Sequence, residues 1–411
     1  MGVASDFVLR PVTHDELAAF ARTDLIAFGE RAEPARLELD WTSLELDRTL
    51  AAFDGDDIVG TGRLFSFELT MPGGRLLPAA AVSWIAVLPT HRRRGILTAI
   101  KSTQLDDAAE RGEPLAMLYA SEAGIYRRFG YGIATSSMSV SIERRYSAFL
   151  RPVPAGRVRL VEEDDARKLF PEIFDRARRV QPGAVQRVDA WWPDQFFWPD
   201  PDQKGTRFYC VYESGDGTLD GYAAYRFDAR WENGPKGTLH VTDLVTTTPA
   251  ARAVLWRYLL DVDLVETIKA WVVPVDEPLR WLLADSRRME VTRLGESLWV
   301  RVLDAPAALS ARTYAAAGRL VFDVVDEFRP DGGAAGRVAL DGGPDGADAR
   351  RTGDAPDLVL DVAVLGGILL GGARPSTLAR AGLVDERTPG ALGLADAMFA
   401  VEPLPFAMTD F

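Results

Sequence analysis

Two stretches of this chain run through one order of elements, and that recurrence restricts the fold more than any single motif does. In residues 6–150 a short strand at 7–12 leads into a helical stretch over 14–27, with Leu17, Phe20 and Ala21 spaced for one face. Strands are predicted at 48–54, 57–70 and 75–88. Asp54-Gly55-Asp56 marks the hairpin between the first two, and Pro72-Gly73-Gly74 marks the next turn. A helix is expected over about 93–111, where Leu97, Ile100, Leu105 and Ala108 lie on or near one face and Gly112 with Pro114 ends it. Leu115-Ala116-Met117-Leu118-Tyr119 reads as a buried strand. Residues 155–300 repeat this layout: strand 157–161, helix 163–178, strands 206–214, 219–228 and 237–247, then a helix from Pro249 to about 260. Strand 270–273 and a short helix over 279–284 follow. The likeness lies in element order rather than in identical residues, as in a diverged internal duplication.

Residues 303–411 change character. Asp304-Ala305-Pro306 opens a helix at a linker, 320–328 alternates as a strand, and six glycines between Gly332 and Gly346 form hairpin loops. Helical segments rich in small residues are expected at 361–371, 376–382 and 391–399. This is an α+β pattern.

Composition narrows the function. The chain has 47 basic and 60 acidic residues, a net charge of −13 that disfavours nucleic acid and anionic membrane and attracts cations. Its single cysteine, Cys210, excludes an intrachain disulfide and suits a reducing compartment. The three histidines (His14, His91, His240) lie far apart and none belongs to H-E-x-x-H, which argues against a zinc hydrolase. The first residues lack the basic and apolar regions of a signal peptide. The most apolar stretch, 76–89, ends in proline and falls short of the about 18 residues a spanning helix needs. A cytoplasmic protein is expected.

The sharpest local signal lies in the first copy. The strand Ser83-Trp84-Ile85-Ala86-Val87 runs into Leu88-Pro89-Thr90-His91-Arg92-Arg93-Arg94-Gly95-Ile96-Leu97-Thr98. A strand, a glycine turn and a helix in succession present unpaired amides at the positive end of the helix dipole, a setting that suits a pyrophosphate. Arginines add charge for phosphate oxygens, and glycine lets a phosphate approach the backbone. A plain βα turn with a solvated basic helix start fits this local pattern equally.

In context the junction resembles that of the GNAT superfamily of acetyl-CoA-dependent N-acetyltransferases, whose signature Arg/Gln-x-x-Gly-x-Gly/Ala follows the fourth strand. Arg92-x-x-Gly95-x-Leu97 matches it except at Leu97, where the superfamily has a small residue. The run Tyr119-Ala120-Ser121-Glu122-Ala123-Gly124-Ile125-Tyr126-Arg127-Arg128-Phe129-Gly130-Tyr131-Gly132 is similar to the segment carrying the catalytic tyrosine in the enhanced intracellular survival (Eis) family. In that family Pro-Thr-His-Arg-Arg-Arg-Gly occurs as it stands here, leucine in the last place is normal, and the chain ends in an aromatic residue, as it does here at Phe411.

The resemblance spans the whole chain and implies a multidomain α/β and α+β fold. A catalytic GNAT domain over 1–150 and a degenerate GNAT-like domain over 151–300 would precede a sterol-carrier-protein-like domain over 301–411 that supplies the C-terminal carboxylate. It further implies acetyl-CoA as co-substrate, no metal, a polycationic amine such as an aminoglycoside (or lysine side chains) as acceptor, and a homohexamer. The counterpart junction in the second half, Leu244-Val245-Thr246-Thr247-Thr248-Pro249-Ala250-Ala251-Arg252, lacks the glycine and the arginine cluster, and Pro249 removes an amide. That half is expected to be catalytically silent.

The chemistry is direct attack of an amine on a thioester. No G-x-S-x-G elbow is present, and Cys210 sits in a strand of buried type. An amine of pKa about 10.4 must shed a proton before attack, and a leaving thiolate of pKa about 8.5 benefits from a proton donor. A tyrosine suits that donor, and the resemblance puts Tyr126 there; the plainer alternative is a core tyrosine, the role left to Tyr119 and Tyr131. The resemblance assigns the backbone of Ile85, Ala86 and Val87 to pantetheine, amides of Arg93, Arg94, Gly95, Ile96, Leu97 and Thr98 to the pyrophosphate, and Ser121 and Glu122 to the co-substrate further along. Phe28, Glu30, Trp41, Ser83 and Trp84 are candidates for an acidic, aromatic acceptor pocket; Trp41 and Trp84 in the core with Glu30 on the surface is the alternative. In the family the terminal carboxylate of Phe411 takes the amine proton, whereas a ring that merely anchors the tail is the plainer role. A lipid or sterol carrier and a non-catalytic acetyl-CoA-binding protein are the competing functions.

Overall fold

The computed structural model describes residues 7–30, 44–198 and 204–411. In chain order the first strands are β1 (Val8–Pro11), β2 (Thr49–Asp54), β3 (Asp57–Thr70), β4 (Leu76–Val87), β5 (Leu115–Tyr119) and β6 (Gly132–Ile133). Next come β7 (Ser136–Glu143), β8 (Arg157–Val161), β9 (Thr206–Glu213), β10 (Leu219–Asp228), β11 (Gly237–Thr246), β12 (Val265–Pro274), β13 (Glu290–Glu296) and β14 (Leu298–Val302). The last five are β15 (Gly318–Val325), β16 (Gly336–Gly343), β17 (Gly346–Arg351), β18 (Leu358–Asp361) and β19 (Val384–Glu386). The helices that matter below are α1 (Leu17–Ala27), α2 (Ile96–Glu110), α3 (Ala123–Tyr126), α4 (Glu163–Arg178), α5 (Pro249–Asp261) and α6 (Val362–Leu369).

The duplication is explicit in the sheets. The first is ordered β1-β2-β3-β4-β5-β14-β6 and the second β8-β9-β10-β11-β12-β7-β13. In each, one parallel pair, β4–β5 or β11–β12, is joined through a helix, α2 or α5. The sixth places are exchanged: β7 follows β6 in sequence yet pairs with β12 and β13, and β14 follows β13 yet pairs with β5 and β6. Chain contacts accordingly define one unit of Met1–Ala134, Leu298–Val401 and Thr409–Phe411, and another of Thr135–Ser297 and Glu402–Met408. The sequence reading divided the chain at 150 and 300; the exchange carries β7 into the second sheet and β14 into the first.

In the second unit α4 follows the helical period, burying Ala166, Phe170, Ile173, Phe174 and Ala177. Cys210 is wholly buried on β9, and burial raises its thiol to about 12, which keeps it from acting as a nucleophile.

In the first unit the third sheet, β17-β16-β15-β18-β19, belongs with the first through α6. Every residue of α6 is buried, and Asp361 caps it by accepting from the Val364 amide at 2.7 Å. The approach of α6 to β6 and β14 is close enough to demand glycine. A Cβ on Gly132 would lie 1.7 Å from the Ala363 carbonyl oxygen, and one on Gly366 2.2 Å from that of Val300. No helix among the described residues is long and apolar enough to cross a membrane.

Candidate active site

The site begins where β4 and β5 part. Their parallel ladder pairs Ala79–Val82 with Leu115–Leu118 and stops, while β4 runs on to Val87 and Tyr119 of β5 pairs with Leu298. Just past the ladder β4 is bulged: Ser83 faces Arg63 and Ala86 faces Thr61, so two residues, Trp84 and Ile85, oppose Gly62 alone. Trp84 takes φ +52°, and its carbonyl accepts from the Thr61 hydroxyl at 2.9 Å. Among the described residues no strand pairs with Ile85, Ala86 and Val87 on the β5 side. Their edge is thus a template for an extended group lying in the gap.

That edge leads to the arginine turn. The helix expected from about 93 starts at Ile96, because Arg93 (φ +65°) and Gly95 (φ +84°) hold left-handed backbone ahead of it. Ile96, Leu97 and Thr98 precede the first intrahelical bond, Ala99 N–H to the Gly95 carbonyl at 3.0 Å, and no side chain caps them. A Cβ on Gly95 would meet nothing within 4 Å. Left-handed residues next to an uncapped helix start make a concavity of amides, and the exposed Arg92, Arg93 and Arg94 surround it. Asp54, at the β2–β3 turn, steadies the loop through His91 Nε2 at 3.1 Å and Arg94 at 3.4 Å.

Three phenols stand near this junction in distinct settings. Tyr131 is fully buried, and its hydroxyl receives the Nζ of buried Lys101 at 2.8 Å. The Tyr119 hydroxyl donates to the Thr409 carbonyl at 2.6 Å. Tyr126, at the end of α3, is 5% exposed and packs edge-on against Tyr131 at 6.2 Å. Burial is the main force raising its pKa; a hydrogen bond with Ser121 pulls it back and the charge of Glu122 adds to the rise. The phenol is therefore protonated throughout the neutral range. Ser121 and Glu122 themselves are exposed.

The end of the chain belongs to the same unit. The half-buried Phe411 ring stands edge-on to Tyr119 at 5.1 Å and to Phe67 at 5.8 Å. Asp410 keeps an exposed face, yet the chain around its carboxyl raises its pKa against the hydrogen bond from the Phe411 amide, 3.0 Å long.

The acceptor-side candidates are only partly gathered. Trp84 stacks on Phe20 at 5.9 Å and so packs α1 against the sheet, while Ser83 is half-buried beside it. Phe28 is 54% exposed just past α1, and Glu30, also exposed, donates its amide to the Leu25 carbonyl. Trp41 lies outside the described residues. Sequence reading missed Asp24, whose carboxyl is raised to about 7, first by burial and then by the charge of Glu30. The available signal was that Asp24 is the one acid in the run Leu17–Ala27, followed directly by the apolar Leu25-Ile26-Ala27.

The second half closes the equivalent position. The Thr248 hydroxyl accepts from the Ala251 amide at 3.2 Å, and Pro249 occupies the first turn of α5. Arg252 turns back to Glu277, with Nε 3.0 Å from Oε2. Little is left there for a phosphate.

Comparison with known proteins agrees with this geometry. Residues 8–134 match a family described as acetyltransferase (GNAT) domain, residues 183–302 a second family of that description, and residues 305–407 the sterol carrier protein domain. The fold and the junction are those of a GNAT N-acetyltransferase with a duplicated core and a sterol-carrier-like domain. An uncharacterized N-acetyltransferase of Streptomyces avermitilis is 40% identical over 97% of this chain and 98% of its own length. The N-acetyltransferase Eis of Mycobacterium tuberculosis is 37% identical over 84% of each chain. The crystal structure of Eis1 from Mycobacterium abscessus superposes with a TM-score of 0.87 at 38% identity, covering 98% of this chain and all of that one. A GCN5-related N-acetyltransferase from Anabaena variabilis, 20% identical with a TM-score of 0.85, shares the fold. The chain belongs to the Eis family of GNAT N-acetyltransferases. It is an acyltransferase that uses an acyl-CoA and an amine acceptor.

Proposed function

We propose that the first half transfers acetyl from acetyl-CoA to amines of polycationic acceptors, aminoglycosides and polyamines among them, at more than one position. The observation that carries this reading is the contrast between the two helix starts. That of α2 is uncapped, glycine-led and ringed by Arg92, Arg93 and Arg94, whereas that of α5 is filled by Thr248 and Pro249. Amides of Arg93 through Thr98 hold the pyrophosphate, the Ile85, Ala86 and Val87 backbone holds pantetheine, and Ser121 and Glu122 line the path onward. Phe28, Glu30, Trp41, Ser83 and Trp84, joined by Asp24, receive the cation through charge and ring faces.

In the transfer a C–N bond forms as the C–S bond breaks. The amine proton passes to the terminal carboxylate of Phe411, and the Tyr126 phenol gives its proton to the departing thiolate. The second half is scaffold, so each chain takes one acetyl-CoA, and the chain assembles as a cytoplasmic homohexamer. Thiol release from acetyl-CoA, followed over aminoglycosides, polyamines and lysine peptides, tests the reading. Release with several polycations is expected, and silence with all of them would sink it. In light scattering, the mass of a single 45.0 kDa chain would remove the hexamer.

A further inference from the structure

Sequence gives Tyr119 no task, since a tyrosine closing a buried strand is ordinary core. Its surroundings give it one. Tyr119 is the residue at which β5 leaves β4, so its place in the sheet is at the mouth of the gap described above. Its hydroxyl donates to the Thr409 carbonyl at 2.6 Å, a contact between residues 290 apart in sequence. Its ring meets the edge of Phe411 at 5.1 Å, with Phe67 on another side of that ring at 5.8 Å. One side chain thus fixes the tail at two points, a carbonyl two residues before the end and the terminal ring itself. A free chain end would sample many orientations of its carboxylate, and holding it removes an entropic cost from each turnover.

We infer that Tyr119 is a positioning residue that seats the 409–411 tail and aims the Phe411 carboxylate at the attacking amine. The inference rests on the reading of that carboxylate as the base. Tyr119 does not itself exchange protons with the substrate; it acts through Thr409 and Phe411. Tyr119→Phe keeps the ring and deletes only the hydroxyl, so the seat loosens while the gap between β4 and β5 is left in place.

The test is a two-by-two set of enzymes: native, Tyr119→Phe, native with one glycine appended after Phe411, and both changes together. Tyr119→Phe is expected to lower kcat roughly tenfold, the worth of one lost hydrogen bond, with KM for acetyl-CoA unchanged. In the glycine-extended enzyme, where the carboxylate is already displaced, the same substitution should cost nothing more. Carboxypeptidase should also release Phe411 faster from Tyr119→Phe than from the native chain, a readout independent of turnover. An equal loss of kcat in both backgrounds would mean that Tyr119 acts on something other than the tail and would overturn the inference. So would native kcat with native trimming in the single variant. A glycine-extended enzyme with native kcat would instead remove the carboxylate as base and, with it, the aiming role; trimming would then report only whether Tyr119 anchors the tail.

Discussion

Gly95 carries two demands that only its lack of a side chain meets together. Its left-handed φ of +84° sets the helix start one turn later than periodicity alone suggests, and its open side leaves room for a phosphate. Aspartate is among the residues that tolerate left-handed backbone, so Gly95→Asp adds a negative charge with little strain. We expect KM for acetyl-CoA to rise roughly tenfold or more, a repulsion of about 1.4 kcal/mol, with the melting temperature little changed. An unchanged KM would take the pyrophosphate out of this turn. Asp24 offers a test of a different kind. Its folded pKa of about 7 stands above the ordinary carboxylate value of 3.8, so the protonated form suits the folded chain. Its stabilising contribution is therefore complete below about pH 4 and is lost as pH rises through 7. Asp24→Asn should raise the melting temperature at pH 8 and change it little at pH 4. A gain of the same size at both values would show that burial and Glu30 do not perturb this group.

Elements were legible where their signal was local. The first five strands of the first half, β8 to β11 of the second, α4 with its apolar period, the small-residue helix α6 and the β2–β3 hairpin at Gly55 fall within a few residues of the sequence expectation. β12 begins five residues before the expected 270, and β6, β7, β13 and β14 are not among the expected strands. What sequence did not give were pairings made at long range. Ser136–Glu143 and Leu298–Val302 carry ordinary strand patterns, but nothing in either tells which sheet takes it, because strand propensity is blind to partner. The bulge at Trp84 was hidden for a related reason: an apolar run reads the same whether or not one residue is extra. At the site, the arginine turn was legible from its local pattern and Tyr126 was singled out only through the family resemblance, whereas the seat of Phe411 depended on a contact spanning most of the chain. The closeness of α6 to β6 is likewise a tertiary fact with a local test. Gly132→Ala sets a methyl group 1.7 Å from a backbone oxygen, which no rotamer relieves. We predict a loss of about 1–3 kcal/mol or more in denaturant unfolding of this unit. Unchanged stability would mean that α6 does not sit where the structure puts it.

At the scale of the whole molecule, one architecture occurs twice with opposite treatment of the same position. Both halves keep five ordered strands, a parallel pair and a helix crossing between its members. Only the first leaves its helix start without a side-chain cap and follows its fifth strand with a buried, protonated tyrosine. Titration calorimetry should accordingly find one acetyl-CoA per chain. The central claim, that Tyr126 supplies the proton for the leaving thiolate, is tested most directly by kcat of Tyr126→Phe, which keeps the ring against Tyr131 and removes only the donor. We predict a fall of roughly a hundredfold or more with acetyl-CoA affinity retained; turnover at the native rate by the folded variant would contradict the account.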